Sequence, residues 1–152
     1  MTPAEDETGA VVADTLERLW PPELPPPLLS SFQRKALAAA QRRAPGIPRG
    51  MLFRAVPRNW RAIAESCECT TVHADHRRLC PALVSAIRRA GYPVLAYTVN
   101  NPSRARALLE WGVTSVFSDV PRLVLEALRP DGANPVVADA FPQGRLGRGR
   151  VP

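Results

Sequence analysis

The chain has 152 residues, a formal net charge of +6 and an apolar fraction of 45%, which fits one domain of ordinary soluble composition. No apolar run approaches the ~18 residues that cross a bilayer, and the acidic start lacks the basic and then apolar order of a signal peptide. Three cysteines form no disulfide framework. We therefore expect a cytoplasmic protein without a membrane span.

The first part of the chain is predicted to hold one helix and one connector. Residues 1–8 are polar and are expected to be loose. Apolar residues at helical spacing predict a helix from Gly9 to Trp20. Prolines then dominate the segment up to Pro27, which predicts an extended connector.

Strand and helix patterns alternate after the connector. The predicted strands are Leu28–Ser30, Ile47–Phe53, Cys69–His73, Val94–Val99 and Val113–Phe117. The predicted helices are Gln33–Ala44, one introduced by Pro57 and Asn59, Leu79–Ala90, one from Pro102 to the stop at Gly112, and one that begins at Pro121. This alternation predicts a parallel α/β sheet, either open and doubly wound or part of a (β/α)8 barrel. No Gly-rich phosphate loop follows a strand, which disfavours the dinucleotide-binding version.

The last part of the chain has a different composition. From Pro130 onward Pro, Gly and Arg dominate, and the apolar periodicity stops. We predict that residues 130–152 are a disordered tail and that the domain spans 9–129.

Candidate functional residues follow the predicted strands, because ligands of parallel α/β folds bind at the carboxyl ends of the strands. These positions hold Ser31 and Phe32, Phe53 and Arg54, His73, Asn100, and Ser118 and Asp119. Ser31 and Asn100 are equally well explained as helix caps. A histidine without a paired carboxylate, such as His73, is more often structural than catalytic.

Two non-enzymatic functions are an alternative. Five potential zinc ligands stand within 14 residues, but they lack the paired Cys-x2-4-Cys turns of structural zinc sites; they are Cys67, Cys69, His73, His76 and Cys80. The net positive charge permits nucleic-acid binding, yet arginines scattered over helices are typical of a solvated surface. A basic module that binds nucleic acid or zinc therefore stays open, with nucleic acid disfavoured.

Several segments carry a resemblance to a known family. They are Leu28–Phe32, Pro48–Leu52, Val72-His73-x2-His76, Gly91–Asn100 and Trp111–Asp119. In them the chain resembles the C-terminal part of a bacterial, cytoplasmic-type glycerophosphodiester phosphodiesterase, in register from about Gly9 to Leu128. The resemblance implies an incomplete (β/α)8 TIM barrel with about five C-terminal βα units. It also implies hydrolysis of glycerophosphodiesters to glycerol 3-phosphate and an alcohol, with Mg²⁺ or Ca²⁺, in glycerol and lipid metabolism.

The motifs that carry the family's chemistry are absent from this sequence. The chain contains no His-Arg-Gly, Glu-x-Asp, His-Asp or Glu-x-Lys, which supply the general acid, the base and the metal ligands. The resemblance thus implies an N-terminally truncated member that is inactive alone and has no catalytic or metal-binding residue of its own. The positions that match substrate-facing wall residues of the family are Ser31, Phe32, His73, Tyr97 and Asn100.

An incomplete barrel has consequences for partners. Five strands leave two open edges and an apolar inner face, so we expect self-association through the sheet edges. A glycerophosphodiester is expected to bind only if an N-terminal half completes the barrel.

Overall fold

The fold is a five-stranded parallel sheet whose strand order follows the chain order. The computed structural model describes residues 5–129. The strands are β1 (Leu29–Ser31), β2 (Arg49–Phe53), β3 (Thr71–Asp75), β4 (Val94–Tyr97) and β5 (Ser115–Val116). The helices are α1 (Glu5–Leu19), α2 (Arg34–Arg43), α3 (Trp60–Ser66), α4 (Pro81–Arg89), α5 (Pro102–Glu110) and α6 (Pro121–Leu128), and a short 3-10 turn spans His76–Arg78.

The core lies on the face of the sheet that the helices cover. Strand residues such as Met51, Val72 and Val94 are buried there, against helix residues such as Ile87 and Leu108. Because successive strand residues point to opposite faces, every second side chain of each strand enters this core. The side chains in between, such as Leu52 and Leu95, lie on the opposite face of the sheet.

The opposite face of the sheet, which we call the inner face, carries the remaining strand residues. The strand register places Leu52, His73, Leu95 and Ser115 in one row across four strands. Asp75 and Tyr97 are paired one step further toward the carboxyl ends. The inner face therefore leads directly to the strand ends where the sequence places candidate site residues.

The predicted βα units are all present, but three strands are shorter than predicted. β2 begins at Arg49 rather than Ile47. β4 ends at Tyr97 rather than Val99, and β5 covers only Ser115–Val116. Phe117 N donates to Ala96 O, whereas Phe117 O accepts from Val99 N, both at 2.8 Å. In a regular parallel pair that oxygen would accept from residue 98, so the chain contains one extra residue here, as in a β-bulge.

The first helix begins earlier than predicted. It starts at Glu5 rather than Gly9, so residues 5–8, which were expected to be loose, are helical. Asp6 and Glu7 favour this start, because negative charges interact well with the helix N-terminus. Residues 1–4 and the predicted tail at 130–152 lie outside the described residues. No helix in the described range is long and apolar enough to span a membrane.

The packing of α1 on α2 depends on a close approach at Gly9. A Cβ atom at this position would lie 2.1 Å from the Ala36 carbonyl oxygen. Ala13 and Ala40 are buried in the same interface, and Arg43 Nη2 lies 2.7 Å from Asp14 Oδ2 at its rim. The small residues thus allow the two helix backbones to come together.

We predict that Gly9→Ala destabilises the protein. An exposed Gly→Ala change inside a helix normally stabilises by about 1 kcal/mol, but here the methyl group must push α1 away from α2, at a cost of about 1–3 kcal/mol. Urea unfolding at neutral pH measures this difference. The matched control is Gly46→Ala, where no atom lies within 4 Å of the added Cβ; a Gly9→Ala protein as stable as the wild type would contradict the packing described here.

Candidate functional site

A cleft of about 420 Å³ opens at the carboxyl ends of the strands. We call it the strand-end cleft. Its lining residues end or follow four consecutive strands, β1 to β4; they are Phe32, Arg54, Ala55, Asp75, Arg77, Arg78 and Tyr97. Clefts of this position and size are the usual ligand sites of parallel α/β proteins.

Two aromatic rings form one wall of the strand-end cleft. The Phe32 and Tyr97 rings are 5.8 Å apart and meet edge to face at 89°, an arrangement that stabilises aromatic pairs. The Tyr97 hydroxyl donates a 2.8 Å hydrogen bond to the Phe53 carbonyl oxygen. Burial raises the pKa of Tyr97, so its phenol keeps this proton at neutral pH. The ring at the end of β4 is therefore held in one position.

An ion pair between Asp75 and Arg77 lines the charged side of the cleft. Arg77 Nη2 donates to Asp75 Oδ2 at 2.7 Å, and Arg77 Nε donates to Asp75 Oδ1 at 3.0 Å. The Arg77 backbone N–H also donates to Oδ1 at 3.0 Å. These bonds hold the pKa of Asp75 at about 2. Asp75 is thus an ionised hydrogen-bond acceptor and carries no proton to transfer at neutral pH.

His73 lies below the cleft, two residues before Asp75 on the inner face. Its side chain is fully buried, and its Nε2 atom is 2.8 Å from Thr71 Oγ1. Its Nδ1 atom has no hydrogen-bond partner among the described residues. Burial lowers the pKa of His73 to about 4, which makes the ring neutral. Gly50 leaves room for it, because a Cβ there would lie 2.4 Å from Nε2.

Asn100 organises the loop after β5 rather than the start of α5. Its Nδ2 donates to Asp119 Oδ2 at 2.9 Å, and its Oδ1 accepts from Ser118 Oγ at 3.1 Å and from the Asp119 N–H at 2.9 Å. The side chain that caps α5 is Asn101, which accepts from the Arg104 N–H. The cap explanation for Asn100 is therefore wrong. The bulge after Tyr97 places Asn100 where it reaches the neighbouring loop.

The predicted site residues separate into two groups. Phe32 and Tyr97 come together in the strand-end cleft. The others do not line it: Ser31 Oγ accepts from the Gln33 N–H at 3.0 Å, His73 is buried, and Asn100 holds the β5–α6 loop. These three residues therefore lie outside the lining of the cleft among the described residues.

Sequence reasoning placed Arg54 among the strand-end candidates but missed the other two arginines of the cleft, Arg77 and Arg78. Arg54 directly follows β2, and Arg77 and Arg78 follow β3 within the 3-10 turn. Arg77 and Arg78 were interpreted as part of a solvated surface. The signal that identifies them is their distance of one to three residues from a strand end, because those positions converge at the mouth of a parallel sheet.

The donor set in the described residues does not fit a magnesium or calcium ion. Both ions require several oxygen ligands, and no group of three or more His, Cys, Asp or Glu residues is close enough to hold a metal anywhere in residues 6–129. The Asp75 oxygens are occupied by Arg77, and Asp119 lies in a different loop with Asn100.

The potential zinc ligands are likewise not gathered into a site in this part of the chain. Cys67 and Cys69 are buried, whereas Cys80 is exposed. Burial raises the pKa of Cys69 to about 12, which disfavours the thiolate that binds zinc. His76 Nδ1 accepts a hydrogen bond from Arg104 Nε at 3.4 Å. The spacing in the sequence therefore does not produce a metal-binding arrangement here.

Comparison with known proteins identifies the family. The model of the glycerophosphoryl diester phosphodiesterase family matches residues 5–123. The chain belongs to this family. A glycerophosphodiester phosphodiesterase from Bacillus subtilis (strain 168) is 32% identical over 100 residues, which are 63% of this chain and 34% of that protein.

Solved structures of family members show how the fold relates to a barrel. An Oleispira antarctica phosphodiesterase, in complex with the product sn-glycerol-3-phosphate, is 38% identical with a TM-score of 0.77, over 81% of this chain and 49% of that one. A Thermotoga maritima glycerophosphodiester phosphodiesterase is 17% identical with a TM-score of 0.60, over 80% of this chain and 53% of that one, and supports the fold alone. The chain spans about a third of the Bacillus protein and half of the Oleispira protein. The predicted incomplete (β/α)8 barrel is confirmed.

The buried His73 predicts a pH-dependent stability. Its pKa is about 4 when folded, against an ordinary value of 6.5, so the unfolded chain binds more protons between these pH values. The contribution of the neutral His73 ring to the free energy of unfolding is complete above pH 6.5 and is lost as the pH falls toward 4. This loss amounts to about 1–2 kcal/mol between pH 7 and pH 5.

Urea unfolding of three proteins at both pH values tests this. His73→Gln should remove most of the difference between pH 7 and pH 5. His76→Gln is the matched control, because the pKa of His76 is lowered by its smaller burial and by Arg104; it should keep most of the difference. An equal pH dependence in wild type and His73→Gln would contradict a neutral, buried His73.

Proposed function

We propose that this chain forms one wall of the barrel of a phosphodiesterase that hydrolyses glycerophosphodiesters to sn-glycerol 3-phosphate and an alcohol. The observation that carries the proposal is the 38% identity and TM-score of 0.77 to the Oleispira antarctica phosphodiesterase, whose structure holds sn-glycerol-3-phosphate. The strand-end cleft supports it, because it occupies the ligand position of this fold class.

The aromatic wall is the part of the cleft suited to the glycerol end of such a substrate. Phe32 is 44% exposed at the cleft, and Tyr97 meets it edge to face. The carbon-bound hydrogens of glycerol pack well on such rings. Ser31, His73 and Asn100 act behind the wall: Ser31 fixes the turn before α2, His73 fills the inner face, and Asn100 fixes the β5–α6 loop.

Hydrolysis needs groups that these residues do not supply. Expulsion of an alkoxide from a phosphodiester requires neutralised phosphoryl charge and a proton for the leaving group. Asp75 is ionised and paired with Arg77, and His73 is neutral and buried. We therefore propose that the acid, the base and the carboxylates that hold Mg²⁺ or Ca²⁺ belong to the other βα units of the barrel. When bound, the metal would neutralise charge on the phosphoryl oxygens.

The inner face supports this division of the site. Leu52 and Leu95 lie there beside the fully buried His73, whose Nδ1 atom has no partner in the described part of the chain. The side chain of Phe117 is 42% exposed next to the His73 ring, with 5.4 Å between the ring centres. β1 and β5 each have one unpaired edge. The remaining units of a barrel would cover the inner face, including the exposed Phe117 side chain, and would pair with the edges of β1 and β5. Without them the open edges favour self-association.

An activity assay tests the proposal. The purified 152-residue chain, with glycerophosphoinositol and Mg²⁺ or Ca²⁺, is expected to release no sn-glycerol 3-phosphate above background. Addition of the half of the Oleispira antarctica protein that lies outside the match should restore release. Turnover by the chain alone would contradict the proposed division of the site.

The aromatic wall is tested in the restored enzyme. Phe32→Ala should lower the restored rate about fivefold, because one aromatic contact contributes on the order of 1 kcal/mol. Leu125→Ala, which truncates an exposed side chain on α6, is the control and should leave the rate unchanged. Equal rates for both variants would exclude Phe32 from the substrate wall.

A further inference from the structure

The strand-end cleft carries a net positive charge, because Asp75 pairs with only one of its arginines, Arg77. Three arginines and one aspartate line it, so its formal charge is three minus one, or +2. Arginine stays protonated at any physiological pH, and the pKa of Asp75, about 2, keeps that group ionised. No other ionisable side chain of the lining changes this balance near neutral pH. The cleft is thus an anion-attracting concavity.

Two of the three guanidinium groups are available to a ligand. Arg77 is bound to Asp75. Arg54 lies 5.7 Å from the centre of the Phe32 ring, and neither Arg54 nor Arg78 makes a hydrogen bond or an ion pair within the described residues. Both follow strand ends and face one cleft, whereas single surface arginines point separately into solvent. A planar guanidinium group binds a phosphate or a carboxylate through two parallel hydrogen bonds.

The size of the cleft indicates which part of a substrate it takes. A volume of about 420 Å³ is more than a phosphate group fills and is in the range of pockets for small organic ligands. The aromatic wall and the free guanidinium groups lie in the same cleft. A ligand that contacts both therefore has a carbon-rich part and, beside it, an anionic group.

We infer that the strand-end cleft selects glycerophosphodiesters whose alcohol carries an additional anionic group, a phosphate or a carboxylate, through Arg54 and Arg78. This inference rests on the proposed function and names its substrate class. Arg54 and Arg78 are specificity-determining residues: they hold the head group, and the chemistry takes place elsewhere in the barrel. A cationic head group such as choline meets the same arginines unfavourably.

Calorimetric titration at low salt tests this with two matched pairs of ligands, on the 152-residue chain combined with the unmatched half of the Oleispira antarctica protein and without added metal, so that no hydrolysis intervenes. Glycerophosphoinositol and glycerophosphoinositol 4-phosphate differ by one phosphate, and glycerophosphoethanolamine and glycerophosphoserine differ by one carboxylate. The more anionic member of at least one pair should bind about tenfold more tightly, as expected for one or two charge-assisted hydrogen bonds. The pair that shows the preference identifies the anionic group. Equal affinities within both pairs would overturn the inference.

Variants of the cleft arginines test whether the preference for the more anionic ligand arises in the strand-end cleft. Arg54→Gln and Arg78→Gln should each reduce it about threefold, and the double variant should abolish it, whereas Lys at both positions should restore part of it. Arg89→Gln removes the same charge from the last turn of α4 and should leave the preference unchanged. A loss as large in Arg89→Gln would overturn the inference in favour of a general effect of net charge.

A further ligand separates this inference from the proposed function. Inositol 4-phosphate carries the anionic group without the glycerophosphoryl part. If it binds as tightly as glycerophosphoinositol 4-phosphate and depends on Arg54 and Arg78, the proposed function fails and the anion site stands. If all the diesters bind with one affinity, the proposed function stands and the inference fails. Absence of binding by every ligand would overturn both.

Discussion

The burial of one face of a parallel sheet beneath five helices, α2 to α6, is the constraint on which the rest of this structure depends. Because strand side chains alternate between faces, placing Met51, Val72 and Val94 in the core fixes their neighbours on the inner face. The same register brings the ends of four strands to one edge, where their side chains form the strand-end cleft. The site is therefore a geometric consequence of the helix-covered core.

Electrostatics then give the residues at this edge different roles. Asp75 is close to Arg77 and stays ionised, whereas His73, one inward-facing position below, is removed from water and stays neutral. Neither state suits proton transfer at neutral pH. Arg54 and Arg78 keep their charge without a partner among the described residues, so the cleft is better suited to hold an anion than to cleave one. This fits a barrel in which binding and chemistry come from different βα units.

Much of the fold was predictable because it follows from periodicity, whereas the details of the site depend on tertiary contacts. The βα order and the position of Phe32 after a strand follow from local patterns, and the family follows from several short motifs. The early start of α1 at Glu5 was missed because polar residues gave no apolar stripe. The role of Asn100 depends on a one-residue bulge and on a partner 19 positions away, and no local pattern encodes either. Arg77 and Arg78 look like solvated surface residues until the strand ends converge.

Hydrogen–deuterium exchange tests most directly whether the chain is one wall of a larger barrel. At a concentration where ultracentrifugation shows a monomer, the account predicts slow amide exchange in β3 and β4, which are paired on both sides, and fast exchange in β1 and β5. Addition of the unmatched half of the Oleispira antarctica protein should slow exchange in β1 and β5. Exchange in β1 and β5 that is as slow as in β3 without any partner would contradict the account, because it would mean that the chain closes its own edges.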